Sequence, residues 1–224
     1  MARVGSLIAV LGAVLSLHGS SSSALAQSCQ GWANVYLTGR HGHAMTYDSA
    51  RGVTVLFGGW DNFSDGETWE WDGTAWSQRA TTGPSPREST SAAFDEARGA
   101  TLLFGGWGAA GADGETWSWD GTAWTQLATS GPPARFAPAL AFDAARGVTV
   151  LFGGDGANGS DPWEWNGTSW IARAAPGPVL RYRHAMAYDA ARGLTLLVGG
   201  FDVTDQLLWS WDGIAWQSRH FVGL

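Results

Sequence analysis

Lysine is missing from this 224-residue chain, and all 13 of its basic side chains are arginine. Against 20 carboxylates they leave a formal net charge of -7, which argues against nucleic acid or an anionic membrane surface as partner. Cysteine occurs once, at Cys29, which excludes an intramolecular disulfide and a Cys-rich zinc site. Charged residues make up only 15% of the chain, but 45% is hydrophobic, too apolar for a disordered chain and enough for one large or two small domains. Beyond the N-terminus no segment approaches the roughly 18 apolar residues of a transmembrane helix. No helical period is present anywhere.

The N-terminus reads as an export signal over residues 1–26. Arg3 supplies a basic start, Leu7 to Leu17 is an apolar stretch too short to span a bilayer, and Ala24-Leu25-Ala26 fits a cleavage site. The expected location is therefore secreted or periplasmic. Cys29 fits a lipid anchor poorly, because Gln27 stands where a small apolar residue is wanted.

What the sequence has in quantity is Gly (32) and Trp (15), and both are organised by an internal repeat. Arg40, Arg87, Arg135 and Arg181 begin four copies, spaced 47, 48 and 46 residues apart. Each copy continues with an aromatic and an Asp (Tyr47-Asp48, Phe94-Asp95, Phe142-Asp143, Tyr188-Asp189) and an Ala-Arg-Gly ending at Gly52, Gly99, Gly147 or Gly193. An apolar run then closes on a double glycine at 58–59, 105–106, 153–154 or 199–200. Two alternating Trp and a third five residues on complete the copy: Trp69, Trp71, Trp76; Trp117, Trp119, Trp124; Trp163, Trp165, Trp170; Trp209, Trp211, Trp216.

These landmarks predict four short strands per copy. In the first copy they are His43 to Tyr47 (a), Val53 to Phe57 (b), Thr68 to Trp71 (c) and a strand opening at Trp76 (d). The apolar, β-branched run of b marks a strand buried on both faces. Asp48 to Gly52 carries hairpin chemistry, and Asp72-Gly73 and Asn166-Gly167 are two-residue hairpin signals. The expected fold is all-β: a β-propeller of four four-stranded antiparallel blades plus one N-terminal strand. The expected segments are 27–39 with that extra strand (Gly31 to Thr38, containing Trp32, Val35 and Leu37), then repeats at 40–86, 87–134, 135–180 and 181–224.

The double glycine, the aromatic pair and the third Trp, set in R-x-x-H-A-M-x-Y-D…A-R-G-x-T-x-L-x-G-G…T-W-x-W-D-G-x-x-W, resemble the kelch repeat of bacterial secreted proteins. The resemblance runs from Arg40 to about His220. It implies a kelch-type propeller, akin in architecture to the propeller of galactose oxidase, with the repeated Gly and Trp as scaffold and usually a binding role. Kelch propellers usually have six or seven blades, and four copies depart from that. Three arrangements stay open: a small closed toroid, an open arc that forms a homodimer through its blade edges, or a shortened relic of a longer propeller.

In such a blade the d–a and b–c connections share one face. The b–c loops are where the copies differ, at Trp60 to Gly66, Trp107 to Gly114, Asp155 to Ser160 and Phe201 to Val203. Variation on a repeating scaffold marks a binding surface. Trp60, Trp107, Asp155 and Phe201 occupy one aligned position there, as stacking platforms for a sugar ring or a peptide, or else as caps on the blade core. Arg40, Arg87, Arg135 and Arg181 lie on the same face. They read as anion ligands or as braces paired with Asp65, Glu67 or Glu115. His43 and His184 share an aligned position, near His41 and Tyr182, and are weak metal candidates; Thr90 and Pro138 replace them in the middle copies.

Other constellations fail. A copper-radical oxidase needs a Tyr–Cys crosslink, and Cys29 lies outside the repeats. Ser64 to Trp69 departs from the sialidase Asp box, having Asp65 and Gly66 adjacent. Asp61 to Asp72 places Phe63 on a calcium-ligand position. The reading is a secreted, non-enzymatic module binding protein or glycan through the b–c and d–a loop face, with no catalytic residue and no cofactor assigned. The alternatives are an extracellular carbohydrate-active enzyme with an axial site, for which Asp155 and Asp202 are the acids to watch, and a structural blade module of a larger exported assembly.

Overall fold

A computed structural model describes residues 37–156, 162–201 and 208–219. The export signal, Cys29, Trp32, Val35 and Asp202 lie outside the described residues. The described chain is all-β, and no helix is long and apolar enough to cross a membrane.

Sheet one comprises β1 (Ala44–Asp48), β2 (Val53–Phe57), β3 (Thr68–Trp71) and β4 (Trp76–Ala80), in that order and antiparallel throughout. After β5 (Arg87–Glu88), sheet two is built from β6 (Ser91–Asp95), β7 (Ala100–Phe104), β10 (Thr116–Trp119) and β11 (Trp124–Ala128). The two-residue strands β8 (Trp107–Gly108) and β9 (Gly111–Ala112) join β5 in a small three-stranded sheet. Sheet three holds β12 (Ala139–Asp143), β13 (Val148–Phe152), β14 (Trp163–Trp165) and β15 (Trp170–Ala172). Sheet four holds β16 (Ala185–Asp189), β17 (Leu194–Val198), β18 (Leu208–Trp211) and β19 (Trp216–Arg219).

The second and third strands of sheet one fall where the sequence places them. The first runs Ala44–Asp48, one residue later than His43 to Tyr47. Asp48 closes the ladder opposite Val53, while its Oδ1 accepts the Ala50 and Arg51 N–H groups and Gly52 turns with φ +71°. The second hairpin also shifts by one. Trp71 pairs with Trp76 and Asp72 N–H donates to the Ala75 carbonyl, so the central residues are Gly73 and Thr74. Asp72 acts from the side, its Oδ1 accepting the Thr74 and Ala75 N–H groups.

The core lies between sheets. Each of three buried apolar clusters straddles two consecutive sheets, as where Leu102 and Phe104 meet Leu151, Trp165 and Trp170. Val55, Leu56 and Phe57 are all buried in succession because β2 is covered on both faces. The first strands of consecutive sheets, β1, β6, β12 and β16, pack side by side, but β16 makes no comparable packing with β1. The row of four sheets is not closed.

One joint is built three times. The third Trp of copies two to four reaches back onto the preceding sheet, edge-on to the Phe that ends its second strand: Trp124 on Phe57 (5.3 Å), Trp170 on Phe104 (5.4 Å) and Trp216 on Phe152 (5.1 Å between centroids). Trp124 and Trp170 Nε1 also donate to Thr68 and Thr116 Oγ1, both at 2.7 Å. Pro162 stands at that position in sheet three, and Trp216 Nε1 is buried without a partner. Burying one indole is worth about 4–6 kcal/mol as an upper figure and the hydrogen bond about 1, so packing dominates the joint.

On the opposite rim, the first-turn Arg of sheets one to three lies against the glycine of the next sheet's last hairpin. A Cβ on Gly121 would sit 2.6 Å from Arg51 Cζ, and one on Gly213 2.7 Å from Arg146 Nη1. Positive φ calls for glycine at both positions, and a larger residue would also push the guanidinium aside.

The Trp–Thr bond can be isolated by comparing two substitutions. Trp170→Phe should lower unfolding stability by about 1–2 kcal/mol more than Trp216→Phe, read from urea denaturation. Both remove the same ring, but only the first strands a buried Thr hydroxyl. Equal losses would mean that the bond contributes nothing.

Candidate ligand-binding face

The double glycines set the geometry of one face. Both residues adopt positive φ in every copy (Gly58 +67°, Gly59 +108°), which turns the chain sharply off the second strand. The second N–H donates to the carbonyl of the next copy's first Arg: Gly59 to Arg87, Gly106 to Arg135 and Gly154 to Arg181, at 2.9–3.0 Å. The residue after each double glycine then pairs with the residue after its own copy's Arg: Trp60 with His41, Trp107 with Glu88, Asp155 with Phe136, Phe201 with Tyr182.

This places the four sequence-predicted loop residues on one rim with partners of differing chemistry. Trp107 (46% exposed) meets Phe136 edge-on at 5.2 Å, Phe136 lies 6.5 Å from Tyr182, and Tyr182 stacks on Phe201 (58% exposed) at 5.8 Å and 18°. The Arg183 guanidinium carbon lies 6.0 Å from the centres of both Tyr182 and Phe201. A concavity of about 540 Å³ opens beside this row, lined by Glu88, Trp107, Phe136, Asp155 and Arg183 among others. Trp60 is partly exposed but joins no ring contact with the row.

A backbone device aligns the same rim. Gly42, Ser89, Ala137 and Arg183, two residues after each initial Arg, all have φ between +52° and +65°. Three of them are not glycine, so the turn carries strain of order 1–3 kcal/mol per residue that its surroundings must hold. They are held by a chain of hydrogen bonds from copy to copy: Ser89 N–H to Gly42 O (2.6 Å), Ala137 N–H to Ser89 O (2.6 Å) and Arg183 N–H to Ala137 O (3.0 Å). Residues from all four copies thus surround a second cavity of about 500 Å³.

The four initial arginines are buried and engaged. Arg40 pairs with Asp65 at 2.7 Å and Glu67 at 3.3 Å, and Arg87 with Glu115 at 2.9 Å and Asp113 at 3.0 Å. In each copy Nη1 also reaches the carbonyl of the first glycine of the pair. Arg135 donates to the Pro133 and Gly153 carbonyls, and burial lowers its pKa to about 10, so it stays charged at neutral pH. The accessible cation of this face is Arg183. Sequence reasoning passed over Glu88, Phe136 and Arg183, although all three stand one or two residues after an aligned Arg.

His184 is buried in the joint between sheets three and four, edge-on to Phe152 at 5.8 Å. Neither ring nitrogen reaches hydrogen-bonding geometry. Burial, and then the charge of Arg181, push its pKa down to about 3, against a weaker opposing pull from the Phe152 carbonyl. Burial also lowers His43. Among the described residues no group of three or more His, Cys, Asp or Glu is placed to hold a metal. Of the two acids noted for an enzymatic site, Asp155 faces the concavity and Asp202 lies outside the described residues.

No protein-family model matches this sequence, and no curated protein matches it.

His184 makes stability depend on pH in a defined direction. Its folded pKa lies below the ordinary value of 6.5, so the unfolded chain takes up the proton first and stability falls as pH drops from 6.5 toward 3. Between pH 7 and pH 5 this one group should cost about 2 kcal/mol. His184→Leu should remove that part of the loss in chemical denaturation at the two pH values; an unchanged difference would contradict the assignment.

Proposed function

We propose that the four sheets are blades of a kelch-type β-propeller and that the exported protein is a non-enzymatic module binding a protein or a glycan through its loop face. The observation that carries this reading is the aromatic row from exposed Trp107 through half-buried Phe136 and Tyr182 to exposed Phe201, beside a concavity that also presents Glu88, Asp155 and Arg183. Aromatic faces take up the C–H face of a sugar or an apolar side chain, while carboxylates and a guanidinium fix hydroxyls or charges at the margin. The repeated residues are consumed by the scaffold, and the aligned loop positions vary, as a surface selected for one ligand would.

The reading as a structural blade module has its own support. Met45 and Tyr47 on sheet one and Val198 on sheet four are about half exposed, although their counterparts in the middle sheets are largely covered. An assembly that covers these surfaces is compatible with ligand binding on the rim.

Titration calorimetry against soluble neutral hexo-oligosaccharides and against a panel of aromatic-rich and acidic peptides tests the binding reading. Trp107→Ala should weaken any interaction at least tenfold with the near-ultraviolet circular dichroism retained, because the ring is half exposed and outside the joints. Unaltered affinity would remove Trp107 from the site, and loss of the fold would make it a structural residue.

A further inference from the structure

The chain carries the two complementary halves of its own sheet-to-sheet joint, one at each end of the row. In the three complete joints the leading sheet offers the apolar end of its second strand, a double glycine and a first-turn Arg. The following sheet offers its third Trp, the carbonyl of its first Arg and the N–H of its left-handed residue. A Cβ on Gly58 or Gly105 would meet the carbonyl of the following Arg at 2.5 or 2.6 Å, whereas one on Gly199 would meet none of the described residues within 4 Å. Arg192, the counterpart of Arg51 and Arg146, has a 72% exposed side chain that, among the described residues, pairs with its neighbour Asp189. Val198, counterpart of the buried Phe57, Phe104 and Phe152, is 44% exposed.

Among the described residues, sheet one shows the matching gaps. A Cβ on Gly73 would meet nothing, although its counterparts Gly121 and Gly213 lie against an Arg. Met45 is 48% exposed, while its counterparts Leu140 and Met186 pack on the preceding sheets. Among the described residues the Gly42 N–H has no acceptor and the Arg183 carbonyl receives no N–H, so the chain of rim hydrogen bonds is open at both ends.

We propose that sheet four of one chain packs on sheet one of a second copy and the reverse, so that two open rows close into a ring of eight sheets. A two-fold axis satisfies both half-joints of both chains at once and leaves no free end, whereas head-to-tail pairing without closure would give a fibre. A second copy is the occupant because each unmet surface is half of a joint that this sequence already makes three times. The aromatic edge onto the second strand, the glycine-to-carbonyl bond and the Arg beneath a hairpin glycine all recur with this chain's own spacing. Among the described residues of a single chain, β16 and β1 make no packing comparable to that of consecutive sheets. The ring would also continue the rim of left-handed residues through Gly42 N–H to the second copy's matching carbonyl. The proposal stands on the joints and is independent of what the loop face binds.

Sedimentation equilibrium of the exported chain between 1 and 100 µM tests it, with the expected mass twice that of one chain. Val198→Asp and Met45→Asp lie outside every joint within one chain, so each should fold, as near-ultraviolet circular dichroism would confirm, and each alone should sediment as a monomer. Mixed in equal amounts they should return to a dimer, because one of the two joints then pairs two unaltered surfaces. A monomeric parent chain at 100 µM overturns the proposal. Polymers, a dimer that survives either substitution, or a mixture that stays monomeric overturn it as well.

Discussion

Everything in this molecule depends on one indole inserted across the gap between consecutive sheets. A four-stranded sheet this narrow has too little surface to bury its own apolar side chains, and the three buried clusters accordingly lie between sheets. The third Trp of copies two to four fills that gap, and the glycine that ends the preceding copy is small because the ring lies against it. A Cβ on Gly83 would sit 2.5 Å from Trp124 Cδ1, and one on Gly131 2.6 Å from Trp170 Cδ1. The Trp and Gly richness of the sequence is thus one requirement expressed twice.

The functional surface follows from the same constraint. With strands and hairpins committed to the joints, chemical variety is left to the residues after each double glycine and after each initial Arg. The joint sets how the four loops align, through the glycine-to-carbonyl bonds and the chain of rim hydrogen bonds. The aromatic row is therefore placed by a rigid scaffold although its residues sit in loops. Buried guanidinium groups at Arg40 and Arg87, spent on carboxylates of their own loops, hold the base of that rim.

Strands were legible in the sequence where one physical signal dominated. Val53–Phe57 and Thr68–Trp71 fall as expected, since a continuous apolar run and alternating Trp have no competing reading. The first strand moved by one because Asp48 both pairs in the ladder and caps its turn, and polarity hid the pairing role. The two-residue strands β5, β8 and β9 have no period to detect. At the site, Trp60, Trp107, Asp155 and Phe201 were visible by alignment. Their pairing partners were not read as such: Glu88 and Phe136 went unnoticed, and His41 and Tyr182 were noted only beside the metal candidates, because these four share position without sharing chemistry. The left-handed turn was hidden likewise, since only Gly42 among its four residues announces a positive φ.

The central claim is that bonds between copies, as firmly as those within sheets, hold the rim in place. Hydrogen exchange resolved by residue tests it most directly. The Ser89 and Ala137 amides, which donate across joints, should exchange as slowly as the ladder amides of β7 and β13. If they exchange at the rate of an open loop while the strands stay protected, the copies are joined only by side-chain packing and the account of the rim is wrong.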